Sequence, residues 1–338
     1  MILVTGGTGL VGSHLLYKLI TDHKKVKAIY RRPHKLESVK KVFSYYSEDY
    51  EALYHKIEWI EADLNDIPAL ENAFKNVTHV YHAAAFVSFE PDKYRLLRKI
   101  NIEGTANIVN LCIANKIEKL CYISSVAAVG NQQNPDAFCT EESPWNSEED
   151  LSVYAITKYG AEIEVWRGSQ EGLDTVIVNP GIILGPGHWW SGGSGSLIHQ
   201  VYKGVKYYTN AMSCYINIWD VISASTQLMN SPIKNERFIL VSDHLSFKDF
   251  QLKVAKALNV EPPKKEASTF ILEIGWRLDW LRHKLRGKRR KLTKQVAKTL
   301  RTNHFYDNSK IKKALDFEFI PLQESIDSVC QFYLKDLE

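Results

Sequence analysis

Short apolar runs alternate along this chain with longer stretches in which apolar side chains return every three or four positions. The runs Ile2 to Thr5, Val26 to Tyr30, Ile57 to Glu61, His79 to His82, Lys119 to Ser124 and Thr175 to Asn179 have the length and the β-branched and aromatic content of buried strands. Between them, residues 11–22, 66–75, 101–115 and 153–168 carry the period of helices with one apolar face. Strand and helix taking turns predicts an α/β fold, a doubly wound parallel sheet covered by helices on both faces, with ligands at the carboxyl ends of the strands. After Pro180 the pattern breaks into a Gly/Trp/Ser-rich loop. It returns to a helix near residues 219–230 and a strand near Arg237 to Val241, then becomes helical and basic.

The first strand runs directly into glycines at Gly6, Gly9 and Gly12, followed by the apolar helical residues Leu10, Val11, Leu15 and Leu16. Such a turn brings backbone N–H groups and a helix N-terminus, carrying roughly half a positive charge, against a pyrophosphate. Gly6 can take a positive φ, Gly9 lets the backbone approach phosphates, and Gly12 lets the helix sit close to the sheet. A strand, this turn and a helix together predict a Rossmann-like dinucleotide site in which Thr8, Leu10 and Val11 also line the cofactor. Residues 1–180 are accordingly expected to form the dinucleotide-binding domain, with 215–242 returning to it. Residues 181–214 and 243–338 then form a smaller, interleaved, mainly helical substrate domain.

An acidic residue at the end of the second strand holds the ribose hydroxyls of NAD, whereas arginine there can pair with the extra phosphate of NADP. This strand ends Tyr30-Arg31-Arg32, which favours NADP over NAD, although two arginines after a strand also make an ordinary solvated edge. Asp63, after the third strand, is placed to hydrogen-bond the adenine.

Tyr154 and Lys158 stand four residues apart on a predicted helix, and so share one face about 6 Å apart along its axis. A tyrosine with an ordinary pKa near 10 needs a shift of roughly 3 units to act as a base at neutral pH. A neighbouring ammonium and an oxidised nicotinamide would supply that shift. The strand ending Ser124-Ser125 presents two hydroxyls at the carboxyl edge of the sheet; Ser125 is the expected partner of the reacting oxygen, and Ser124 the second candidate or a strand cap.

Composition narrows the class. The 338 residues are 45% hydrophobic, enough for a large core, and the net charge of +4 gives no reason to expect a nucleic-acid partner. The five cysteines form no Cys-x-x-Cys or zinc spacing, so no metal is expected and the thiols read as reduced. A first strand beginning at residue 2 leaves no room for a signal peptide, and no stretch reaches the roughly 18 apolar residues of a membrane span, so a cytoplasmic location is expected.

With these residues in place, the sequence resembles the extended short-chain dehydrogenases/reductases, the NAD-dependent epimerase/dehydratase type, over most of its length. Thr5-Gly-Gly-Thr-Gly-Leu-Val-Gly12 looks like the cofactor turn and Asp63-Leu64 like the adenine contact. His82-Ala83-Ala84-Ala85 resembles the strand end under the nicotinamide ribose, and Asn101-Ile-Glu-Gly-Thr105 the helix start that follows. Ser124-Ser125 and Tyr154-x-x-x-Lys158 match the catalytic group, and Asn179-Pro180-Gly181-Ile-Ile183 the passage into the substrate domain. The resemblance implies that Tyr154 is the acid/base, Lys158 the ribose anchor and tuner of Tyr154, and Ser125 the hydrogen-bond partner of the reacting oxygen. It also implies a homodimer through the helices near 101–115 and 153–168.

Sugar-nucleotide dehydratases of this family place Asp-Glu after the catalytic hydroxyl, where this chain has Val126-Ala127, so dehydration is disfavoured. The double arginine and the Asn-Pro-Gly stretch resemble more the dihydroflavonol-reductase and 3β-hydroxysteroid-dehydrogenase branch. Hydride transfer between a nicotinamide and a carbonyl or secondary alcohol is therefore the expected activity. A nucleotide-sugar epimerase would use the same three residues, and a non-catalytic dinucleotide-binding regulator could share the fold.

Val87, Ser125, Asn179, Trp189 and Trp190 are the expected substrate contacts. The last two lie in His188-Trp-Trp-Ser-Gly-Gly-Ser-Gly-Ser196, which reads either as a lid with flat apolar surface or as an ordinary surface loop. Residues 269–298 are apolar at first and then basic. They read as an amphipathic helix touching a membrane surface, as a helix whose charges are simply solvated, or as cations meeting an anionic substrate.

Overall fold

The computed structural model describes residues 1–130, 137–190, 193–287 and 290–338. The strands within them are, in chain order, β1 (Ile2–Thr5), β2 (Val26–Tyr30), β3 (Ile57–Glu61), β4 (His79–His82), β5 (Lys119–Ile123), β6 (Thr175–Pro180), β7 (Ile182–Leu184), β8 (Tyr207–Tyr208), β9 (Met212–Asn217), β10 (Glu236–Leu240), β11 (Asp243–Ser246) and β12 (Lys265–Glu266). Seven of these make one sheet in the order β3-β2-β1-β4-β5-β6-β10, with every neighbouring pair parallel. The direction of winding reverses between β1 and β4, where Thr5 stands opposite His82. That reversal opens the crevice at the carboxyl edge in which ligands of such sheets bind.

Because successive strand residues point to opposite faces, Leu3 and Val4 enter different cores. Val4, Ala28 and Val176 meet Leu15, Leu16 and Leu19 of the helix Leu10–Thr21 and Ile222 and Leu228 of the helix Ile218–Asn230. Leu3, Val80 and Ile177 meet Leu70 and Phe74 of the helix Ile67–Phe74, Ile108 and Cys112 of the helix Gly104–Ala114, and Val165 of the helix Val153–Gln170. A sheet covered on both faces favours apolar side chains, which is why its central strands are mostly apolar, while the edge strand β3 exposes Glu58 and Glu61.

The smaller region is a three-stranded sheet, β11-β9-β7, with β9 antiparallel to β11 and parallel to β7. Helices Phe247–Ala257 and Leu322–Lys335 pack on it through Phe250, Val254, Ile326 and Tyr333, beside Trp189. The chain thus leaves the main sheet after β6, builds β7 and β9, returns for the helix Ile218–Asn230 and β10, and leaves again. Two features differ from the sequence pattern. Helices Leu36–Ser44 and Tyr50–Tyr54 follow β2, and the expected Gly/Ser loop is already helical from Gly195 to Tyr202.

Candidate active site

The glycine turn is shaped by what a side chain would hit. A Cβ on Gly6, whose φ is +69°, would come within 2.6–2.7 Å of the Ala83–Ala84 backbone, and one on Gly12 would sit on the Gly6 carbonyl. At Gly9, which is exposed, a Cβ would meet only the Gly6 carbonyl at 3.3 Å. Gly9 begins the helix Leu10–Thr21 without a side-chain cap, so the N–H groups of the first turn face the crevice. A bare helix N-terminus behind a close backbone turn fits a dinucleotide pyrophosphate. Thr8 flanks this turn, partly buried, with Leu10 and Val11 behind it.

At the far end of β2, Arg31 pairs with Asp63 at 3.2 Å, both partly exposed. Asp63 also accepts the Asn65 backbone and side-chain N–H, each at 3.0 Å. Arg32 is exposed beside them. Leu64 is buried in the core against Gly104, and only its carbonyl does polar work, accepting from Asn107 at 2.8 Å. Its side chain is therefore packing rather than the ligand contact expected from the sequence.

A second correction concerns Asn101. Its amide oxygen accepts the Phe86 N–H at 2.8 Å, and its amide nitrogen donates to the Phe86 carbonyl at 3.0 Å and to Thr157 at 3.2 Å. The side chain staples the segment after β4 to the helix Val153–Gln170, and both its amide N–H donors are spent within the protein. A column under it does similar work: His82 bonds Thr5 at 2.6 Å and Thr105 at 2.9 Å, and burial holds the imidazole down to about 3 and so neutral. Ala83, Ala84 and Ala85 lead out of this column to the crevice, increasingly exposed.

The structure brings Ser125, Tyr154 and Lys158 together. Ser125 ends the extended segment after β5; its carbonyl accepts the Asn179 amide at 2.9 Å, and its hydroxyl accepts the Ala127 N–H at 3.2 Å. Ser152 caps the helix Val153–Gln170, which puts Tyr154 in its first turn and Lys158 one turn deeper. Burial pushes the pKa of the Tyr154 hydroxyl up to about 12, and the nearby Ser125 hydroxyl opposes the rise. Lys158 is buried. Its ammonium donates to the Tyr122 hydroxyl at 2.6 Å and to the Ile123 carbonyl at 3.0 Å, and burial brings its pKa down to about 7 against the pull of Glu162. The four-residue spacing predicts that Lys158, together with an oxidised nicotinamide, draws Tyr154 down. In this arrangement the ammonium is turned toward β5, and Tyr154 stays protonated at neutral pH.

Several contributors were not visible in the sequence argument. Glu162, another turn down the same helix, is buried with Asn179 at 2.5 Å and Arg237 at 3.4 Å, and burial raises its pKa. Its spacing from Lys158 was readable, but nothing in the sequence pointed to burial. Ser124 lies in the same buried region. Phe89 sets its ring edge-on to Tyr154 with centroids 5.5 Å apart, and it is exposed together with Val87.

The two tryptophans part company. Trp190 is exposed, whereas Trp189 is buried in the smaller core, edge-on to Tyr333, and donates to Asp336 at 2.7 Å. Trp189 anchors the loop to the C-terminal helix instead of facing a ligand; Ser191 and Gly192 lie outside the described residues. Pro180, Gly181 and Ile183 line the passage from β6 into β7, where a Cβ on Gly181 would meet the carbonyl and sulfur of Cys214 at 2.8–2.9 Å.

Known proteins resemble this chain in sequence and in fold. Over 283 residues the chain is 28% identical to a putative dihydroflavonol 4-reductase of Synechocystis sp., covering 81% of this chain and 77% of that protein. It is 24% identical over 248 residues to cinnamoyl-CoA reductase 1 of Petunia hybrida, covering 71% and 72%. The fold superposes on the UDP-glucose 4-epimerase of Thermotoga maritima with a TM-score of 0.76 at 20% identity, over 100% of this chain and 99% of that one. Residues 2–235 match the NAD dependent epimerase/dehydratase family, and the chain belongs to it.

Proposed function

We propose that this protein is a reductase that uses a nicotinamide dinucleotide, NADP in preference to NAD, to convert a small-molecule carbonyl into a secondary alcohol. The observation that carries this reading is the Tyr154 hydroxyl, kept protonated by burial, beside the Ser125 hydroxyl at the carboxyl edge of the sheet. A phenol that keeps its proton at neutral pH is suited to give it to an oxygen that gains negative charge. Ser125 would hold the same oxygen by a second hydrogen bond. Lys158, on turning from Tyr122 toward a bound cofactor, would meet the ribose hydroxyls and bring positive charge beneath Tyr154, stabilising the phenolate left behind. The nicotinamide, when bound, supplies the hydride. The turn Gly6–Gly12 and the helix N-terminus behind it would hold the pyrophosphate, and Arg31 and Arg32 the 2′-phosphate, with Arg31 exchanging its Asp63 partner for it.

Val126-Ala127 after Ser125 supplies no acid/base pair for eliminating water, which supports simple reduction over dehydration. Val87 and Phe89, exposed on the segment that Asn101 holds against the helix of Tyr154, offer an apolar wall that suits an apolar or aromatic substrate. The test is binding of NADPH and NADH to the purified protein, then fluorescence-monitored cofactor oxidation over a panel of carbonyl compounds, comparing wild type with Tyr154→Phe. Tyr154-dependent net oxidation supports a reductase. Tight binding without net oxidation moves the reading to epimerisation, in which the cofactor is regenerated within the cycle.

A further inference from the structure

The helix Thr269–Arg286 is oriented by its polar contacts rather than by an apolar face. Asp279 accepts the backbone N–H groups of Lys291 and Leu292 at 2.8 and 3.0 Å, Gly275 lies against Leu292, and Glu273 pairs with Arg301 at 3.0 Å. With that side fixed inward, Phe270, Ile274, Leu278, Leu281 and Leu285 fall on the outward side within an arc of about 80°, forming a stripe about 22 Å long. They are 72%, 42%, 60%, 44% and 73% exposed. Exposed apolar side chains scattered singly are ordinary, but five aligned along one helix face are not.

The stripe is bordered by cations. At the helical repeat, Arg277 and Lys284 lie along one margin, while Arg282, paired with Asp279, lies beyond the other and Arg286 is exposed at the C-terminal end. By sequence, residues 269–301 hold eleven Lys/Arg against two acids, a local charge of +9 in a chain whose total is +4. The remainder of the chain is therefore net acidic by sequence, and its net positive charge falls in the segment that carries this apolar stripe. Among the described residues no helix is long and apolar enough to cross a membrane.

Charge selects among the possible occupants. A second copy would bring +9 against +9 across the contact, which repels. A nucleic acid would satisfy the cations and leave five hydrocarbon side chains in water. An anionic lipid surface satisfies both: apolar side chains enter the acyl boundary while the flanking Lys and Arg stay at the headgroups. We propose that Thr269–Arg286 lies in the interface of an anionic lipid bilayer and docks the protein there. The docked segment is tied to the candidate active site, because Gln295 and Lys298 in the short helix that follows bond Asp150 at 2.7 Å each, four residues ahead of Tyr154.

Flotation with phosphatidylcholine vesicles, with and without phosphatidylglycerol, tests this on the full chain. Wild type is expected to float with the anionic vesicles, less so at high salt. The double variants Leu278→Glu/Leu281→Glu and Lys284→Glu/Arg286→Glu are each expected to lose at least about tenfold in partitioning. All four side chains are exposed, so melting temperature and dinucleotide binding are expected to stay at wild-type values, which separates failure here from failure of the reductase reading. Wild type that does not float, or that floats equally on neutral vesicles, overturns the proposal. So does a wild-type dimer in gel filtration that Leu278→Glu/Leu281→Glu dissociates, which would make the stripe a contact between copies. Binding to RNA that survives the leucine changes while flotation is absent would assign the cations to a polyanion instead.

Discussion

Lys158 donates to the phenol of Tyr122 at 2.6 Å, so the cation of the candidate catalytic helix is held at the end of β5 and not on Tyr154. Burial without a carboxylate in direct contact is what brings this lysine down to about 7 from its ordinary 10.5. The sign of its effect on stability follows. Between about pH 7 and 10.5 the unfolded chain binds a proton that the folded chain does not, so unfolding becomes more costly as pH rises through that window. Below pH 7 both states are protonated and the penalty is constant. Each pKa unit is worth ~1.4 kcal/mol, so Lys158→Met should be the more stable protein at pH 7, and wild type should recover a few kcal/mol relative to it by pH 10. Melting temperatures of the two proteins across this range check the point; parallel curves would show that Lys158 titrates normally.

Tyr154→Phe removes the proton donor but leaves the ring and its edge-on contact with Phe89. Turnover should fall by about 10²–10⁴-fold with cofactor affinity nearly unchanged. Ser125→Ala should cost less in turnover, because Tyr154 retains its proton, and should leave the Asn179 bond to the Ser125 backbone carbonyl in place. Single-turnover rates alongside dinucleotide titrations separate the two roles, and a Tyr154→Phe protein with wild-type rates would remove Tyr154 from the chemistry.

The three glycines of the first turn should not respond alike. Gly6→Ala forces a side chain at a positive φ against the Ala83–Ala84 backbone, so it should lower the melting temperature as well as abolish dinucleotide binding. Gly9→Ala meets only a carbonyl at 3.3 Å and leaves the fold intact, while its methyl occupies the space where phosphate would approach. It should weaken binding by about tenfold or more at an unchanged melting temperature. Calorimetric titration together with thermal unfolding distinguishes the pair.

How far the sequence could be read depended on whether a residue's task is local. The parallel sheet was legible because short, mainly apolar runs alternate with stretches of helical period, and Gly6, Gly9, Gly12, Tyr154 and Lys158 were legible because a turn or one helix face dictates their spacing. The strands β7 and β9 were not, since Leu184 and Tyr215 pack against Phe250 and Tyr333 from far along the chain and no local period records that. Trp189, Leu64 and Asn101 illustrate the same limit from the other side. Each sits in a segment with the right wording, but Asp336, Gly104 and the Phe86 backbone claim their side chains from a distance. Glu162 escaped notice because its partners Asn179 and Arg237 come from β6 and β10, and only the assembled sheet brings them together.

Asn101 provides a test of positioning without chemistry. Its two bonds to Phe86 and one to Thr157 hold the segment carrying Val87 and Phe89 against the helix of Tyr154. Asn101→Ala leaves the Phe86 N–H and carbonyl without those partners, at a cost of about 1–3 kcal/mol. The released segment would no longer hold Phe89 against Tyr154, so KM for an apolar carbonyl substrate should rise several-fold while the Kd for the dinucleotide stays within about twofold. Asn101→Asp keeps an acceptor for the Phe86 N–H but removes the donor to the Phe86 carbonyl and to Thr157, and it places a carboxylate in a buried site. It should therefore be no better than alanine at neutral pH and should improve as the pH falls and the carboxyl takes up a proton. A dinucleotide Kd that rises in parallel with KM in Asn101→Ala would return this residue to the cofactor site.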